Sequence, residues 1–147
     1  MGSTTVELRG SGYEASDGTL QVWLHFLVAE IDRLFQVSPW LKEVRAEWEL
    51  QYTAGFDFGV NPDLDRFVTN EEQCETILSL SERALRALEQ KGEVISKEEL
   101  NHMRLGGEGS FYLDDVPTEA FIRVGRYFIK LLQGDLRPEE NDARMWR

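Results

Sequence analysis

The chain has 147 residues, 41% hydrophobic and 29% charged, enough for one domain with a buried core and no covalent staples. Its 27 acids outnumber 16 Lys and Arg for a net charge of −11, so no nucleic-acid partner is expected, because phosphate binding needs surplus positive charge. No apolar run approaches the ~18 residues of a membrane span, and the single cysteine, Cys74, excludes a disulfide framework or a Cys-cluster metal site.

The first residues, Met1-Gly2-Ser3-Thr4-Thr5, lack the apolar stretch of a secretory leader, so the cytoplasm is the expected compartment. Residues 4–18 hold Gly10, Gly12 and Gly18 and few apolar positions. With Val6 and Leu8 alternating, they read as a flexible or extended arm, or as a short strand. From Thr19 the pattern changes. Leu20, Trp23, Leu24, Leu27, Ile31, Leu34 and Phe35 recur at three and four residues, one wide apolar helix face. Phe26 and Val28 widen it, which predicts a central helix.

Ser38-Pro39 opens a second helix, with Ser at the N-cap and Pro at the first helical position. Trp40, Leu41, Val44 and Trp48 share one side of it. Residues 55–70 are the longest irregular stretch. Thr69-Asn70-Glu71-Glu72 then reads as a capping box with Thr69 as N-cap. The helix it opens carries Cys74, Ile77, Leu78, Ser81, Ala84, Leu85 and Leu88 on one face and stops at Lys91-Gly92. Ser96-Lys97-Glu98-Glu99 starts a short helix, followed by a loop with Gly106, Gly107 and Gly109. Phe111, Tyr112 and Leu113 suit a short extended segment. Pro117-Thr118-Glu119 opens the last helix, buried through Phe121, Ile122, Val124, Phe128, Ile129, Leu131 and Leu132, and Gly134 ends it. The expected fold class is therefore all-α. It is a single-domain helical bundle of four main helices plus one short helix over residues 19–134, with an arm at 1–18 and a polar tail at 135–147.

One local pattern carries ion chemistry. Residues 61–72, from Asn61 to Glu72, partly resemble the EF-hand calcium loop. The resemblance implies oxygen ligands at Asn61, Asp63, Asp65, the Phe67 carbonyl, Thr69 and Glu72. Two positions depart from that family. Asn61 replaces its first Asp, and Arg66 stands where it has Gly for a positive φ. The plain reading of the same residues is a Pro-Asp turn followed by a helix cap. Gly92 to Glu98 look like the second half of such a loop, but Ala87 and Lys91 supply no side-chain oxygen ahead of it.

Other chemistry is sparse. His25 lies on the most apolar helix and His102 four residues after Glu98, with no second ligand at zinc spacing. Cys74 belongs to an apolar stripe, where cysteine packs and does not react. The glycine run at 105–110 lacks the lysine of a phosphate loop. An enzyme with a carboxylate site is therefore the least favoured reading, since the sequence shows no ExxH pair of the di-metal kind.

The expected function is a non-catalytic acidic interaction protein that binds or inhibits a basic protein partner. Small acidic helical proteins that neutralise a basic toxin share this size and charge, and negative charge speeds such encounters. The partner-binding candidates are Phe56, Phe58, Asp63, Asp65, Asp114 and Asp115. The alternative is an ion- or small-ligand-binding module using the acidic loop 61–72, with calcium on Asp63, Asp65 and Glu72. Otherwise no cofactor is expected. The sequence carries no signal for an oligomeric state.

Overall fold

The computed structural model of the protein describes residues 2–54, 59–106 and 111–144. Its first element departs from the all-α expectation. Strands β1 (Ser3–Leu8) and β2 (Ser11–Ser16) pair antiparallel, from Ser3 opposite Ser16 to Leu8 opposite Ser11. The two-residue turn between them holds both Arg9 (φ 53) and Gly10 (φ 84) in the left-handed region, the geometry that matches hairpin twist. Alternation then sorts the side chains. Val6, Leu8, Tyr13 and Ala15 are buried, while Thr5 and Glu7 are exposed. The hairpin hides in the sequence because Arg occupies a turn position where Asn or Asp is the usual signal.

Part of the expected C-terminal tail is held against this hairpin. Glu14 donates its amide to the Asn141 carbonyl at 2.8 Å, and the Ala143 amide donates to the Glu14 carbonyl at 2.8 Å. Ala143 is buried. Glu140 pairs with Lys130 and accepts from the Arg137 amide, which draws its carboxyl below the usual range.

Helix α1 (Asp17–Asp32) sits at the centre and touches α2 (Pro39–Thr53), α4 (Glu71–Glu89) and α6 (Thr118–Gln133). Leu20, Val22, Trp23, Leu24, Leu27 and Ile31 are all fully buried, so it is apolar almost all round, as a central helix must be. Each such side chain contributes about 1.5–3 kcal/mol by leaving water. Phe128 of α6 is the aromatic hub. Its ring lies 5.6 Å from that of Trp23 and 6.4 Å from that of Trp48, both edge-on. The Tyr13 hydroxyl donates to the Val124 carbonyl at 3.2 Å and ties the hairpin to α6.

Shorter elements complete the chain. They are α3 (Leu64–Phe67), inside the stretch expected to be irregular, then β3 (Val94–Ile95), α5 (Lys97–His102) and β4 (Val116–Pro117). β3 and β4 form a second antiparallel pair. With 56% helix, six helices and two two-stranded sheets among the described residues, the fold is mixed. It is not an all-α bundle of four main helices and one short one.

Two helix starts test the capping arguments. Ser96 accepts from the Glu99 amide at 3.1 Å, as its spacing predicts. The α4 cap shifts by one residue. Asn70, not Thr69, is the N-cap and accepts from the Gln73 amide at 2.8 Å. The Gln73 side chain reaches back to accept from the Thr69 amide and hydroxyl, at 2.8 and 2.7 Å. No helix among the described residues is long and apolar enough to cross a membrane.

Candidate functional site

The acids singled out from sequence fall in two places. Around residues 61–72 they serve the fold. Asn61 Oδ1 accepts from the Asp63 amide at 2.9 Å, a local turn that puts Asp63 in the left-handed region (φ 56). Asp63 Oδ2 then lies 3.6 Å from Arg66, whose guanidinium also pairs with Glu43. Asp65 Oδ1 accepts from the Arg9 amide at 3.0 Å and so braces the hairpin turn. Glu72 stands in the first turn of α4, where a negative charge suits the helix dipole. Asp63, Asp65 and Glu72 are thus drawn to three different neighbourhoods. No group of three or more His, Cys, Asp or Glu side chains able to hold a metal occurs among the described residues. Phe56 and Phe58 lie outside the described residues.

Asp114 and Asp115 belong to a different surface. There the chain from Glu93 to Asn101 is zipped to the chain from Phe111 to Thr118. The Thr118 amide donates to the Glu93 carbonyl at 2.9 Å, and Val94 and Ile95 pair with Pro117 and Val116. The Lys97 amide, at the start of α5, donates to Asp115 Oδ1 at 2.9 Å. Asn101 clamps Tyr112 from both sides, accepting from its amide at 2.6 Å and donating to its carbonyl at 3.1 Å. Ile95 and Leu100 are buried beneath and fix the strip to the core.

What this strip leaves outside is apolar and acidic. Val94, Phe111 and Leu113 are exposed to 47%, 68% and 73%, three of the five large apolar side chains that stand exposed among the described residues. Residues 93–102 and 111–119 carry six acids against one lysine. The side chains of Glu93, Glu98 and Asp114 make no hydrogen bond or ion pair among the described residues, whereas Glu99 is paired to Lys91 at 2.7 Å. Large apolar groups exposed among acids are the composition that marks a candidate contact surface. Phe111 to Leu113 were expected as a short extended segment, but the strand forms later, at Val116–Pro117. The contribution of Glu93, Val94 and Glu98 was not legible, because it depends on the β3–β4 pairing.

A polar cluster borders the strip. The His25 ring lies edge-on to that of Tyr52 at 5.2 Å, and His25 Nδ1 is buried with no hydrogen-bond partner among the described residues. Burial pushes the His25 imidazole below its ordinary value, with Glu99 opposing and Lys91 reinforcing the shift. Burial also pushes Tyr52 up. A neutral imidazole against a protonated phenol is a packing arrangement, with neither an activated nucleophile nor a ligand set.

The chain matches no known protein family, no curated protein and no solved structure.

Proposed function

We propose that this chain is a non-catalytic acidic protein that binds, and in binding can inhibit, a basic protein partner, and that the strip built from β3, α5 and residues 111–117 is its docking surface. One observation carries the reading: Leu113 and Phe111 stand exposed on the strip that carries Asp114, Glu93 and Glu98, whose side chains are unpaired among the described residues. Apolar anchors hold such a contact, and the acids steer and select a positively charged surface. The chain's net charge of −11 extends the same preference to long range.

The test is capture on the immobilised chain with a salt series, repeated with a Leu113→Ser/Asp114→Lys variant. The reading expects a basic protein held at low salt and released as salt rises through ~0.1–0.5 M, because screening shortens the reach of exposed charges. It expects the variant to lose that protein while melting like the parent. Equal capture by parent and variant removes the strip from the binding site.

A further inference from the structure

The geometry points to a second contact surface, beyond the C-terminal end of α1 and independent of the partner reading: an interface at which two copies of this chain meet. Between the α1–α2 connection and α4 runs a groove of about 780 Å³, continuous with a second hollow of about 320 Å³ along α4 through shared Leu34, Glu72 and Thr76. The larger hollow far exceeds the roughly 150 Å³ that encloses a benzene ring. Half-buried Leu34 and Trp40 line it. At its lip Phe35 is 99% exposed, because α1 stops at Asp32 and the ring falls beyond the helix end.

Charge decides the occupant. Lys42 and Arg83 line these hollows and make no ion pair among the described residues. Glu72 and Glu75 line them as well and are equally unpaired. On a chain of net −11 this surface is locally balanced. A basic partner would meet Lys42 and Arg83 here, two exposed cations. A second copy, turned about a twofold axis, offers each charge its opposite and each groove a Phe35 ring, the self-complementarity an isologous dimer requires. The two surfaces also differ in salt response. Two chains of −11 repel, so self-association strengthens as salt rises to about 0.15 M, while capture of a basic partner weakens.

Sedimentation equilibrium of the full chain tests this. The expected result is a mass that climbs from 17.0 kDa toward twice that value with concentration. Phe35→Asp should weaken the dimer at least ~10-fold without changing the melt of the dilute, monomeric chain, since the side chain is 99% exposed there. Lys42→Glu should also weaken it, and Lys42→Glu/Glu72→Lys should restore it. A single-chain mass at every concentration up to ~1 mM in 0.15 M salt overturns the proposal, as does an intact dimer in Phe35→Asp. Loss of a captured basic protein in Phe35→Asp, with the parent monomeric, would assign the groove to that partner instead.

Discussion

Trp23 packs its six-membered ring onto the bare Cα of Gly125: a Cβ built there would stand 2.6 Å from Trp23 Cζ3. That single approach lets α1 and α6 close around Phe128. Gly125→Ala sets two effects against each other. Alanine favours a helix interior over glycine by about 1 kcal/mol, but overpacking a rigid buried ring costs about 1–3 kcal/mol. Trp23 is fully buried and cannot swing aside, so the clash wins. Thermal melting should show a net fall of a few degrees. A raised melting temperature would mean that α1 and α6 separate more easily than this packing allows.

The two buried tryptophans should respond differently to loss of the indole N–H. Trp48 Nε1 donates to the Pro62 carbonyl at 2.8 Å, whereas Trp23 Nε1 is buried with no partner among the described residues. Both Phe variants lose similar volume. Trp48→Phe also strands a carbonyl, at about 1–3 kcal/mol, while Trp23→Phe removes an unsatisfied donor. Urea unfolding should therefore rank Trp48→Phe as the more damaging. The reverse order would place the key polar contact elsewhere.

Acid should act through His25 before it acts through the surface carboxylates. Burial holds the folded imidazole below its ordinary value of about 6.5, so the unfolded chain takes up the proton first. Stability is thus full above about pH 6.5 and declines as pH falls toward the folded value. The groups facing His25 are Tyr52 from α2, its neighbour Phe26, Lys91 beyond α4 and Glu99 of α5. Asp142, held at about 2 by its bonds to Arg144, gives way only at far lower pH. Urea unfolding at pH 7.5 and 5.5 (on either side of about 6.5) should show a loss that His25→Gln reduces. An equal loss in the variant would transfer the effect to other groups.

How much was legible follows from how local each signal is. The periodicity from Leu20 to Ile31, the Ser96 cap and the Gly134 stop (φ 75) lie within a few residues of sequence, and they read correctly. Phe35 continued the same period yet stands in solvent, because a pattern does not show where a helix ends. Asp65 looked free because its partner, the Arg9 amide, comes from a hairpin 56 residues away. The proposed docking strip was half visible for the same reason. Asp114 and Asp115 are neighbours in sequence, but Glu93 and Val94 join them only through long-range pairing.

That pair of aspartates offers the sharpest separation of fold from function. Asp115 Oδ1 accepts from the Lys97 amide and satisfies a donor at the start of α5, while Asp114 is exposed and bonds to nothing among the described residues. Losing a capping carboxylate costs about 1 kcal/mol. Asp115→Ala should therefore lower the melting temperature and reduce partner capture only as far as α5 loosens. Asp114→Lys should leave the melt unchanged and cut capture of a basic protein, because it reverses an exposed charge beside Leu113. Circular dichroism melts and the salt-series capture read the two effects separately. Equal melting losses for both variants would contradict the structural role of Asp115. Undiminished capture by Asp114→Lys would take the binding role away from this strip, even though its fold would stand.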